Sequence, residues 1–169
     1  MRAIHLRVVV NADPATAFDA IVDFARYPSL AEDVRRVQTN VSGMPDGHQD
    51  SDWEVNFRRG IMRWNELEVI DRDRLRIDFD QTDGDFEDFH GCWQVTALGE
   101  WQAEVWFEVS YDFGIESLVG IMDPIAERVI KRAICSVLSG LFGDIQILEG
   151  AEALTDLART GIGGNQWTR

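Results

Sequence analysis

The chain has 169 residues, 45% hydrophobic and 27% charged, which suits one globular domain with a substantial core. Its 30 acidic residues outnumber 16 basic ones, for a formal net charge of −14, a balance that repels phosphate backbones and argues against nucleic-acid binding. No run reaches the ~20 apolar residues of a membrane span, the first ten residues carry no apolar run of signal-peptide length, and Cys92 and Cys135 form neither a disulfide framework nor a metal-ligand spacing. A reducing cytoplasm is the expected setting, with no metal and no cofactor.

Residues 3–10 place Ile4, Leu6, Val8 and Val10 at period two and predict a strand. Asp13-Pro14 is a helix start, because Asp can cap free N–H groups and Pro lacks a donor that would have no partner there. Ala17, Phe18, Ile21 and Val22 carry that helix to about residue 23, and a second helical turn is expected near 29–31. The period then changes to two. Strands are predicted over 34–41, 51–58, 61–70, 75–81, 89–97 and 102–112, joined by turns at 42–47, 59–60, 71–73, 83–84 and 98–100. Short strands linked by tight turns make an antiparallel meander.

The period returns to 3.6 after Asp123-Pro124, which repeats the start signal. Ile125, Val129, Ala133, Val137, Leu141, Ile145 and Leu148 make an apolar stripe that predicts one helix over 124–148. Gly140 and Gly143 each cost about 1 kcal/mol there relative to Ala, so a kink or a close backbone contact is expected. Residues 1–159 read as one domain with a short helix over 151–159, and 160–169 as a flexible tail. One helix cannot cover so wide a sheet flatly, so the sheet should wrap around it and leave a cavity at the open end.

Local patterns sharpen that α+β architecture. Val10-Asn11-Ala12-Asp13-Pro14 leads into Ala17-Phe18, followed by Asp23-Phe24-Ala25-Arg26-Tyr27-Pro28. Gly84-Asp85-Phe86 runs through to His90-Gly91-Cys92-Trp93, and Val109-Ser110-Tyr111-Asp112-Phe113 precedes the long helix. In this order and spacing, over about residues 1–148, they resemble the START-like helix-grip (Bet v 1-like) superfamily, closest to its polyketide cyclase/dehydrase and coenzyme Q-binding members. The resemblance implies a hydrophobic cavity for lipids, quinones, plant hormones or polyketide chains. Bacterial aromatic-polyketide aromatase/cyclases of this fold carry a cavity arginine and a tyrosine at positions held here by Glu68 and Val34.

The predicted inner face is aromatic. Trp53, Trp64, Phe79 and Trp93, with Val55, Phe57, Phe107 and Tyr111, are candidate ligand contacts on a flat-walled site for a planar molecule. Gln81 shares a face with Phe79, and Tyr27 is a candidate hydrogen-bond donor at the cavity mouth. If Trp64 points inward, so do Glu66 and Glu68, and two carboxyls among apolar neighbours would rise in pKa. Such a pair suits proton transfer in an aldol condensation with dehydration. The opposite parity turns Leu67 and Val69 inward and leaves both acids in water. Arg58, with Arg63 as a second candidate, would stabilise an enolate, and Asn56 or Asn65 would orient a carbonyl. His90 is a weaker candidate base, and the acidic stretch 83–88 reads as a charged turn, since its spacing matches no calcium loop.

The residues thus suggest two functions: a polyketide cyclase/aromatase served by an acyl carrier protein, with Glu66, Glu68 and Arg58 catalytic, or a non-catalytic carrier of a quinone, lipid or finished polyketide. The oligomeric state stays open, a homodimer included.

Overall fold

The period-two segments join into one antiparallel sheet in the computed structural model, which describes residues 1–58, 60–154 and the backbone of 167–168. The strands are β1 (Arg2–Val10), β2 (Val34–Asn40), β3 (His48–Phe57), β4 (Gly60–Asp71), β5 (Arg76–Gly84), β6 (Asp88–Ala97), β7 (Ala103–Asp112) and β8 (Ile145–Glu149). Trp167–Thr168 adds β9, the one parallel pairing among the described residues, against β8. The sheet order is β2-β3-β4-β5-β6-β7-β1-β8-β9, a meander that returns to the first strand. The helices are α1 (Pro14–Val22), a 3-10 turn at Phe24–Arg26, α2 (Tyr27–Leu30), a second 3-10 turn at Glu116–Leu118, and α3 (Val119–Phe142).

Asp13 caps α1 by accepting the Thr16 backbone N–H at 3.1 Å, with Pro14 at the first helical position. α3 lies along the inner face of the sheet. Its Val129, Ile130, Ala133, Ile134, Val137 and Leu138 bury against inward residues of the strands, among them Leu6, Val8, Val105 and Val109. Each fully buried side chain of this size contributes roughly 1.5–3 kcal/mol. Gly140 brings α2 close, for a Cβ there would lie 2.8 Å from Leu30 Cδ2.

Two boundaries of the long helix differ from the sequence reading. The start signal at Asp123-Pro124 falls inside α3, where Asp123 is buried and its carbonyl accepts the Tyr111 hydroxyl at 2.7 Å. The proline ring would press on the residue four positions earlier, and that residue is Gly120. At the other end the helix stops at Phe142. Gly143 adopts φ +75° and donates its N–H to the Ser139 carbonyl at 2.9 Å. Ile145, which fits the helical stripe, instead joins Ile147 in β8, both buried, with Val8 of β1 opposite Ile147, and Leu148 of the stripe turns outward. An unpaired edge of β1 outweighs the last turn of an amphipathic helix.

Smaller differences occur at turns. Leu75 sits at φ +53° in the turn before β5 rather than in the strand, and β5 runs on to Gly84, so the next turn lies over 85–87. Residues 152–154 are helical; the rest of the short helix expected to 159 lies outside the described residues. So does the tail over 160–169, apart from Trp167–Thr168, which pairs with β8.

Candidate functional site

The inner face of β3–β7, the 3-10 turn at Phe24–Arg26, α2, the start of β2 and α3 enclose a chamber of about 70 Å³. Trp53, Val55, Phe57, Trp64, Phe79, Trp93 and Phe107 line it from the sheet, and Tyr27 and Val34 from the N-terminal side. Phe24 and Phe89 complete the aromatic wall, and Ile130, Ala133, Ile134 and Val137 form the α3 side. Gly91 explains the position of Phe79: the two residues pair across β5 and β6, and the Phe79 ring occupies space a side chain at Gly91 would need. Glu66 is the one charged side chain among the described lining residues.

Period two settles which side of β4 faces inward once β3 is paired. Trp53 stands opposite Trp64, Ser51 opposite Glu66, and Gln49 opposite Glu68. Trp64, Glu66 and Glu68 are all buried, whereas Val69 is 39% exposed, so the acids face the interior. The two indoles stack with centroids 5.8 Å apart and planes within 2°. The Trp64 indole N–H donates to Glu66 Oε1 at 2.8 Å. The Trp53 indole N–H donates to Ser51 Oγ at 2.7 Å, and the Ser51 hydroxyl donates to Glu68 Oε1. Both acids are thus held by rigid donors on the same strand pair.

Burial pushes the Glu66 carboxyl well above the usual range, and the neighbouring Glu68 charge adds to the effect. Burial also pushes Glu68 up to about 7, against the lowering action of its hydrogen bonds to Ser51 and Glu66. The two carboxyls lie close enough to influence each other's ionisation. Glu68 Oε2, Gln49 Nε2 and Gln81 Oε1 are buried atoms with no hydrogen-bond partner among the described residues. Gln49 and Glu68, opposite each other on β3 and β4, therefore retain unused bonding capacity.

Other candidates fall elsewhere. Arg58 is an exposed turn residue beyond β3, because the strand ends at Phe57. It lines a separate outer groove with Gly60, Ile61, Met62, Ile121, Met122 and Ile125. Gln81 is half-buried outside the chamber wall, and its Nε2 donates to the Phe86 carbonyl at 2.9 Å. Tyr111 is buried behind the wall with its hydroxyl on Asp123. Tyr27 does line the chamber, but its hydroxyl donates to the Ile21 carbonyl at 2.6 Å. Arg63 is exposed beside Glu54, Asn65 is bonded to Asp52, and His90 is exposed beside Asp88. Ser51 and Gln49 escaped the sequence reading. Their signal was parity with Trp53 in a strand that begins at His48, three residues earlier than the alternation of large residues reveals.

This fold and chamber define a START-like, helix-grip protein that binds a small hydrophobic ligand. The profile of the family described as polyketide cyclase / dehydrase and lipid transport matches residues 10–137, and the chain belongs to that family. No curated protein matches the chain. Among solved structures it is similar to TTHA0849 from Thermus thermophilus, at 21% identity and TM-score 0.73, over 83% of this chain and 94% of that one. It is also similar to the ZhuI aromatase/cyclase from Streptomyces sp. R1128, at 17% identity and TM-score 0.69, over 95% and 98% of the two chains. Norcoclaurine synthase from Thalictrum flavum, in complex with dopamine and hydroxybenzaldehyde, aligns at 16% identity and TM-score 0.62, over 83% and 85%. These similarities establish a shared fold.

Proposed function

We propose that the protein is a polyketide cyclase/aromatase whose acid–base machinery is the Glu66–Glu68 pair. The observation that carries this reading is a pair of buried carboxyls on one face of β4, with Glu66 in the wall of an aromatic chamber and Glu68 two residues further on. Burial raises both carboxyls, Glu68 to about 7, so the pair can both accept and return a proton. The carboxylate removes a proton from a methylene flanked by two carbonyls. The resulting enolate carbon attacks a second carbonyl of the same chain, one C–C bond forms, and the alkoxide takes the proton back from the carboxylic acid. Loss of a second α-proton to the carboxylate, with a carboxylic acid of the pair protonating the departing hydroxyl so that it leaves as water, gives the unsaturated ring. Stacked indoles and Phe79 hold the chain planar as the ring forms. Arg58 stands outside this scheme. An acyl carrier protein would deliver the chain.

In the carrier reading, the same chamber holds a quinone, lipid or finished polyketide without reaction. Its support is a lining that is apolar except near Glu66. The two separate when the protein is incubated with a polyketide synthase and its carrier protein and the ring patterns of the products are compared. The cyclase reading expects a changed ring pattern with the parent protein. It expects Glu66→Gln and Glu68→Gln to lose roughly 10²–10⁴-fold of that activity while ligand-induced quenching of tryptophan fluorescence persists. Unchanged products from both variants would remove the catalytic role. No ring-pattern effect alongside tight quinone binding would establish the carrier.

A further inference from the structure

Two cavities meet at one side chain. Phe57 lines both the inner chamber of about 70 Å³ and the outer groove of about 520 Å³. The groove is walled by Ile61 and Met62 from the start of β4 and by Ile121, Met122 and Ile125 from the first turns of α3, with Arg58 at its rim. Ile121 is 62% exposed, and Ile115, Leu118 and Val119 nearby are exposed as well. Single exposed apolar residues need no explanation, but a cluster beside an apolar groove marks a binding surface.

The sizes do not suit a ligand confined to the chamber. Sites for drug-sized ligands measure roughly 300–1,000 Å³, whereas the chamber, at about 70 Å³, has room for one ring at most. Its charged residue, Glu66, lies six pairs along the β3–β4 ladder from Phe57 and Gly60, where the groove opens. A ligand with its oxygenated ring at Glu66 therefore points the rest of its length toward Phe57.

We propose that the groove is a second subsite for the same ligand. It takes the flexible chain attached to the ring held in the chamber, and Phe57 is the divide that chain passes. The substrate class is then an oxygenated six-membered ring, or ring-forming segment, bearing an extended apolar or polyketide tail, and not a compact molecule buried whole. This rests on the chamber reading above for the position of the ring, and needs no turnover.

The test is binding of 4-alkylphenols with tails from ethyl to hexyl, followed by quenching of tryptophan fluorescence. A tail settling in a half-open apolar groove should gain roughly 2- to 4-fold in affinity per methylene, or at least about 16-fold from ethyl to hexyl. Ile121→Asp and Met62→Asp, on opposite walls, should each cut that gain to a few-fold. Ile121 is exposed, so its replacement does not threaten the core. Affinity that is flat or falls with tail length in the parent would overturn the proposal, and so would a gain as steep in both variants as in the parent. Because the gain is read without product formation, it can fail while the Glu66–Glu68 chemistry stands, and the reverse.

Discussion

Ser51 joins the two halves of the polar end of the chamber. It accepts from the Trp53 indole and donates to Glu68, so one small hydroxyl ties the orientation of a wall ring to an ionisable group. Ser51→Ala leaves a buried indole N–H without an acceptor and a buried carboxyl without a donor. The expected cost is about 1–3 kcal/mol in urea unfolding. The Ser51 bond also holds the Glu68 carboxyl down. Its loss should therefore move the fluorescence titration midpoint of the acid pair to higher pH. A midpoint that stays put would show that Ser51 does not govern the pair.

At the level of elements, two glycines at close approaches should behave differently. At Gly91, a Cβ would collide with the Glu108 carbonyl of β7 and lie 2.7 Å from Phe79 Cζ. The backbone of a paired strand cannot retreat, so Gly91→Ala is expected to destabilise by roughly 3 kcal/mol and to displace the Phe79 wall. At Gly140 the obstacle is the methyl end of Leu30, which can change rotamer, and alanine recovers about 1 kcal/mol of helix propensity. Gly140→Ala should thus stay within about 1 kcal/mol of the parent. Thermal unfolding of the pair checks the contrast; equal losses would contradict it. The same distinction shows why strand edges override periodicity at the end of α3, where β1 offers a row of hydrogen-bonding groups that β8 satisfies.

Across the whole molecule, the buried acids set a pH signature. Both carboxyls are raised in the folded protein, so folding takes up protons as the unfolded chain begins to ionise. The stability they contribute is complete below about 4.5, the ordinary glutamate value, and is lost as pH rises through about 7 for Glu68 and through the raised range of Glu66. For Glu68 this is roughly 3 kcal/mol across the window. Denaturant unfolding of the parent and of Glu68→Gln between pH 4 and 8 should give curves that converge at the acid end, with the variant gaining on the parent as pH rises. Parallel curves would mean that Glu68 does not resist ionisation. A ligand that hydrogen-bonds the pair should weaken this dependence.

The order of periods along the chain determined the meander, the amphipathic helix and the aromatic inner face, because alternation is local and needs only the residues themselves. Asp13-Pro14 likewise announced α1, since its cap reaches only to Thr16. Parity along β4 was legible but its direction was not. Trp64, Glu66 and Glu68 occupy one side and Leu67 and Val69 the other, and only pairing with β3 beneath α3 selects the acids. Ile145 fits both a helical stripe and, with Ile147, a strand, and the open edge of β1 chose between them. Arg58 read as a site residue because its cation would stabilise an enolate; the end of β3 put it outside the chamber. Ser51 and Gln49 carried no signal of their own, since small or polar residues acquire meaning only from what stands across the ladder. Long-range register decides that, and register is a property of the folded sheet.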